Sequence, residues 1–269
     1  MYKIIYPESD ITKRHIVNYD QLQEFDSKLP LKYFVFPQKG RTVFVLKNAR
    51  VESEGNHITI SKSEEENFKV VFLGKYTHPL LFTYLNFVPE IAINFNETGI
   101  NYFFPDFRSR NELFTVFDGT LIDLDAEKLF NNDNETAGKY LDDYLIGRYS
   151  GLEISAIEKA VEMVNADCKQ AVAAIAGQVC LTEKTLNRQF QKYVGCTISK
   201  YKSIVRFRKT LETHFKNDQL SLTELCLENN YFDSPHFYKE IKKIASFNPK
   251  DFFNKVKANG LGAYPYVFD

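Results

Sequence analysis

The chain lacks any apolar run approaching the roughly 20 residues that a membrane-spanning helix needs, so a membrane partner is not expected. Its first residues, MYKIIYPESD, lack the apolar core of a signal peptide, which makes the cytoplasm the expected location. Cysteine is sparse. Cys168, Cys180, Cys196 and Cys226 all fall in the second half, and their spacing matches no zinc-ligand pair of the CxxC kind. They read as small buried thiols, with a redox switch as the other reading. Histidine is scarce and dispersed: His15, His57 and His78 have no His or Glu at the spacing that a metal-binding β-barrel enzyme uses. There is no Walker loop, no GxGxxG and no GxSxG. The expectation is therefore a protein that is not an enzyme, with no catalytic residues, no cofactor and no metal.

Charge is unevenly spread. Residues 1–150 carry 17 Lys and Arg against 22 Asp and Glu, whereas residues 151–269 carry 17 against 13. The basic second half suits a polyanion, and the acidic first half should add little to that affinity.

The stretch 173–201, AAIAGQVCLTEKTLNRQFQKYVGCTISKY, reads as two short helices joined by a tight turn. Leu186, Phe190 and Tyr193 fall at i, i+4 and i+7 on one face, behind Thr182 as N-cap. Lys184, Asn187, Arg188 and Gln191 occupy the opposite face. Arg and Asn can each make two hydrogen bonds to a guanine or adenine edge in the major groove. A second copy follows 51 residues later: Leu186 falls on Phe237, Phe190 on Ile241, Arg188 on Lys239 and Tyr201 on Phe252. Two copies at a constant offset, each with a basic outer face, make a far stronger signal than one. Residues 154–165 read as an amphipathic helix before the first copy, and 199–215 as a long helix linking the two. That linker would set the recognition helices to enter major-groove segments about 34 Å apart.

The run AIA-x5-T-x3-L-x-R-x-F-x4-G-x5-Y-x4-R over 174–206 strongly resembles the DNA-binding domain of AraC/XylS-type transcription regulators. Leu225 and Cys226, Asn230 and Tyr231, Phe237, Lys242 and Lys243, Asn248 and Pro249, and Phe252 resemble its second half. Departures are Asn230-Tyr231 in place of Gly-Phe, Ile241 in place of Phe, and Ser246 in place of Gly. The resemblance places Lys184, Asn187 and Arg188 toward the groove, with Glu183 either accepting from a cytosine amino group or favouring the helix N-terminus. In the second copy Ser234, Pro235, His236 and Lys239 take the matching positions. Lys239, Lys242 and Lys243 would anchor phosphates.

Residues 1–120 read as β-rich. Segments 32–37, 41–51, 57–61, 68–73, 76–86, 91–95 and 102–104 have strand character, with turn signals at Gly55-Asn56 and Thr98-Gly99. A compact antiparallel sheet or a barrel-like or α+β domain is expected. Tyr76, Phe82, Tyr84, Phe87, Phe95, Tyr102 and Phe103 supply either its core or the lining of an apolar pocket. This half resembles, more faintly, the N-terminal sensor domains of AraC-type regulators. That likeness implies a small-molecule effector or a homodimer. Helices are expected at 123–130 and 136–149, the latter closing its own domain or pairing with a twin, and Gly151 as a hinge. The domain limits follow as 1–150, 151–255 and a tail at 256–269. The function expected is a sequence-specific DNA-binding regulator acting on operator duplex, an activator that works with RNA polymerase. The alternative is a protein-interaction or ligand-binding module with degenerate DNA binding.

Overall fold

The computed structural model describes residues 2–22, 29–107, 112–119, 123–131, 133–229, 231–258 and 265–268. Asn48 divides the longest β-rich run of the sequence. The stretch 41–51 is not one strand but two, β4 (Arg41–Lys47) and β5 (Ala49–Glu54), because Asn48 takes the left-handed conformation at φ 53°. Asn tolerates that region better than most side chains. Its side chain accepts from the Asn67 backbone, while the Asn67 side chain accepts from Ala49, so the chain crosses between two sheets at this clasped pair.

The other strands of the N-terminal half are β1 (Tyr2–Ile5), β2 (Ile16–Leu22), β3 (Leu31–Val35), β6 (His57–Lys62), β7 (Phe68–Leu73), β8 (Leu80–Tyr84), β9 (Glu90–Phe95) and β10 (Phe114–Asp118). Two short strands come from the end of the chain, β11 (Lys257–Ala258) and β12 (Pro265–Phe268). Among the described residues they form two six-stranded sheets, β1-β2-β9-β4-β7-β10 and β11-β12-β3-β8-β6-β5, rather than a closed barrel. All neighbours are antiparallel except β6 and β8.

Helices cover the first sheet: α1 (Asp10–His15), α2 (Ile100–Phe103), α3 (Ala126–Phe130) and α4 (Asn134–Arg148). Segment 102–104, expected as a strand, belongs to α2 and its exit. Its three aromatics are buried by helical packing and not by sheet pairing. α4 packs on its own domain through Leu141 and Leu145, and Asp142 accepts from Tyr19 and from the Glu8 and Ser9 backbone. Tyr76, Phe82, Tyr84, Phe95, Tyr102 and Phe103 all lie in packed clusters, so they serve as core.

The second half is helical: α5 (Ser155–Ala166), α6 (Val172–Gln178), α7 (Glu183–Tyr193), α8 (Ile198–Lys216), α9 (Leu222–Glu228), α10 (Ser234–Ala245) and α11 (Pro249–Lys255). The start signals are local. Thr182, Thr197, Ser221, Asp233 and Asn248 each accept a backbone N–H of the first turn they cap, and Ser221 with Glu224 completes a reciprocal capping box.

The apolar core does not respect the boundary between the halves. One cluster runs from Val43, Ile93 and Phe95 of the first sheet through Leu141 and Ile157 to Leu186, Phe190 and Tyr201. A second joins Phe36 and Val267 to Phe207, Phe237, Ile241 and Phe252. Gly151 adopts φ 59°, while Ser150 next to it donates to the Tyr102 carbonyl. Asn230 lies outside the described residues.

Candidate nucleic-acid interface

α7 buries Leu186 and Phe190 completely and leaves Glu183, Lys184, Arg188 and Gln191 in solvent. Asn187 is half-buried and donates its amide to the Glu183 carbonyl at 3.1 Å, one turn back, which leaves its side-chain oxygen free of that bond. The expected front of this helix therefore forms one accessible polar face. Tyr193 is half-buried at its last turn.

The sheet domain grips α7 at its C-terminal end. The Tyr193 carbonyl accepts from the Arg41 guanidinium and from the Asn101 amide, the latter at 2.8 Å. A cation at that end also complements the helix dipole. Gly195 follows at φ 89°, and a Cβ there would sit 2.6 Å from Cβ of Lys75. Lys75 is half-buried against this turn, donates to the Gln38 carbonyl at 2.6 Å, and lies 5.5 Å from the Tyr201 ring. Burial pushes its ammonium down to about 8 and the Arg41 guanidinium down to about 10. Burial would raise the Glu97 carboxyl. Hydrogen bonds from Asn165 and from the Tyr201 hydroxyl, both at 2.9 Å, outweigh it and hold Glu97 below its usual range.

α10 repeats the α7 design with different chemistry. Phe237, Ile241 and Ile244 face the core. Ser234 is half-buried, and Pro235, His236, Tyr238, Lys239, Lys242 and Lys243 are exposed. His236 Nε2 lies 3.5 Å from Glu240, which pairs with Arg206 of α8 at 3.0 Å. Burial works against the Arg206 charge, but the Glu240 carboxylate together with Cys168 and Tyr231 outweighs it and raises its pKa. His236 is thus turned toward this pair as well as toward solvent. Lys243 lies near enough to Lys200 and His78 to disfavour the charge on each. Burial first, then Lys243, lowers the Lys200 pKa, and burial, Lys200 and Lys243 lower that of His78. Ser246 closes α10 in the left-handed conformation at φ 60°, the geometry the expected glycine would have supplied.

The structure thus brings Glu183, Lys184, Asn187, Arg188 and Gln191 together on α7, and Ser234, His236, Lys239, Lys242 and Lys243 together on α10. α8 separates the two sets. Its 19 residues span about 28 Å. Tyr238 went unassigned in the sequence, although the offset of 51 places it on Asn187. Of the cysteines, Cys168, Cys196 and Cys226 are buried as expected. Cys180 is exposed, because it forms the first inter-helix turn at φ 55°.

Residues 175–255 match the family described as a helix-turn-helix domain. The second half therefore carries the AraC-type helix-turn-helix domain that its motif resembles. Similar solved structures include ToxT from Vibrio cholerae with an unsaturated fatty acid bound (12% identity over 89% of this chain and 94% of that one, TM-score 0.48). They also include ToxT from Vibrio cholerae in a P21 crystal form (12% identity, 88% and 97%, TM-score 0.49). A third is a transcriptional regulator with an AraC-type DNA-binding domain from Chromobacterium violaceum (21% identity, 36% and 88%, TM-score 0.33). No curated protein matches the chain.

Proposed function

We propose that the chain is a sequence-specific DNA-binding transcription regulator whose two recognition helices, α7 and α10, enter successive major-groove segments of one duplex. The observation that carries this reading is the repeat itself. Two helix pairs at a near-constant offset each bury one face of the second helix and present the other, which carries basic side chains in both, to solvent. Arg188 and Asn187 are the base readers of α7, with Lys184, Gln191 and Glu183 beside them. Lys239, Lys242 and Lys243 hold phosphates from α10, flanked by Ser234 and His236. Domain limits of 1–150 and 151–255 describe the division of labour.

The first half is the regulatory half of this reading, taking a small-molecule effector or forming a homodimer. Support comes from its hold on the Tyr193 carbonyl and on Tyr201, through which a change in the sheet domain reaches the end of α7. Activation through RNA polymerase, in the cytoplasm, completes the proposal.

The test is selection of binding sites from a randomised duplex pool, followed by fluorescence anisotropy at stated salt. The selected site should bind about a thousandfold or more tighter than random DNA. Arg188→Ala should cost about 1–3 kcal/mol and relax preference at one base position. If no sequence enriches, the chain is an interaction module and the reading falls. A thermal-shift screen of the full chain tests the effector, since a ligand of the folded state raises its melting temperature.

A further inference from the structure

The second helix-turn-helix copy differs from the first by one inserted residue. In the first turn the Leu181 N–H donates to the Ala176 carbonyl, and in the second the Tyr231 N–H donates to the Cys226 carbonyl. Leu181 and Tyr231 are therefore equivalent, 50 residues apart, and both pack inward. The caps that follow, Thr182 and Asp233, are 51 apart. The extra residue is Phe232, and it is 91% exposed. An apolar residue just before an N-cap ordinarily folds onto the fourth helical residue. Here that residue is Phe237, and Tyr231 already covers it edge-on at 4.9 Å between centroids. Phe232 is left pointing out at the N-terminal end of α10.

The exposed stripe of α10 continues the same chemistry. Pro235, Tyr238, Lys239 and Lys242 stand at i, i+3, i+4 and i+7, and Tyr238 is 41% exposed. Their counterparts on α7 are Lys184, Asn187, Arg188 and Gln191, all hydrogen-bonding groups. The second helix thus presents an apolar end made of Phe232, Pro235 and Tyr238, followed by a cationic end made of Lys239 and Lys242. The lysines complement a phosphate backbone. Asp233, the acid beside the apolar end, uses its carboxylate to cap the helix at His236 N. The N-terminal end of a recognition helix is the end that meets base edges. On those edges the apolar feature is the C5-methyl of thymine.

We infer that α10 reads DNA by apolar contact: Phe232 and Tyr238 enclose thymine methyl groups in the major groove, while Lys239 and Lys242 hold the flanking phosphates. This rests on the DNA-binding reading above, and it assigns base specificity to a helix poor in hydrogen-bonding readers.

The experiment uses the full chain and its selected site, with each thymine replaced in turn by deoxyuridine, which removes only the methyl. Wild type should lose about fourfold in affinity at one or two positions in the α10 half of the site. Phe232→Ser and Tyr238→Ser should bind the thymine site more weakly and no longer distinguish it from the deoxyuridine site. Leu227→Ser, on α9 and 71% exposed in the wild type, should keep the discrimination. Because Phe232 makes almost no buried contact, its variant should melt as wild type does. The inference is overturned, with the DNA-binding reading intact, if wild type binds its site tightly but ignores every methyl, or if Phe232→Ser still senses them. It is overturned in favour of protein docking if the variants bind both DNAs normally and lose only transcription activation. If no site can be selected, both readings fall together.

Discussion

Asp20 and Glu90 are buried acids on neighbouring strands of the first sheet, and Glu90 accepts from the Tyr84 hydroxyl of the second sheet. Asn94 donates to Asp20 at 2.7 Å, and the other Asp20 oxygen is buried without a partner among the described residues. Burial pushes Asp20 up to about 6 and Glu90 up to about 7, the latter helped by Asp20. In the unfolded chain both titrate near 4. The folded state therefore holds more protons than the unfolded state in this window. The contribution of these two acids to stability is full below about pH 4 and is lost as pH rises through 6 and 7. Glu90→Gln should make the protein more stable at pH 8, on the order of 2 kcal/mol, and flatten the dependence between pH 5 and 8. Urea titrations at both pH values check it, and an unchanged slope in the variant would show that Glu90 does not titrate there. Neither acid was legible in the sequence. β2 reads IVNYDQL, and its polar residues erase the alternation that marks a half-buried strand. They are tolerated because they hydrogen-bond across the sheet: Asn94 joins Asn18, Asp20 and Thr42.

At the scale of elements, what was legible had a local cause and what was missed had a distant one. α7, α8 and α10 announce themselves through their caps and their apolar spacing, and β7 and β9 through dense β-branched and aromatic runs. α2 misled because aromatic triplets suit strands and buried helices alike. The two inter-helix elements around α7 make opposite predictions. Cys180 holds φ 55° without being glycine, in a region that costs an ordinary L-residue about 1–2 kcal/mol. Cys180→Gly should therefore leave stability unchanged or raise it by about 1 kcal/mol, since glycine's freedom in the unfolded chain offsets part of the relief. Gly195 is the reverse case: φ 89° and the near approach of Lys75 leave no room for a Cβ. Gly195→Ala should destabilise by more than about 1 kcal/mol and loosen the sheet domain from α7. Paired thermal melts would reveal the opposite signs. Hydrogen exchange at residues 193–201 would show whether the loss is local.

The whole molecule is stitched along two seams, and the second depends on residues the sequence presents as a tail. One seam ties the first sheet to α7 and α8 through Arg41, Asn101, Glu97 and Tyr201. The other ties the second sheet to α8, α10 and α11, where Phe36 meets Phe252 at 4.9 Å and Phe34 meets Phe247 at 5.3 Å. β12 closes that seam. Tyr266, Val267 and Phe268 pair with Val35, Phe34 and Tyr33, and Val267 is 2% exposed within the same cluster. The pairing joins segments more than 200 residues apart, and no local pattern in a four-residue strand names so distant a partner. Removing residues 257–269 should uncover the edge of β3 and the faces of Phe34 and Phe36. Losing the buried Val267 side chain alone is worth about 1.5–3 kcal/mol. For a chain of this size each kcal/mol lowers the melting temperature by about 2–4 °C. Because the apolar clusters cross the boundary between the halves, the full chain should melt in one calorimetric transition. The shortened chain keeps only the first seam, so its transition should come earlier and broaden or split, with the sheet domain and the second helix-turn-helix unit separating first. A shortened chain that melted as the full one does would mean that β12 merely rests on β3, and that the first seam alone holds the two halves together.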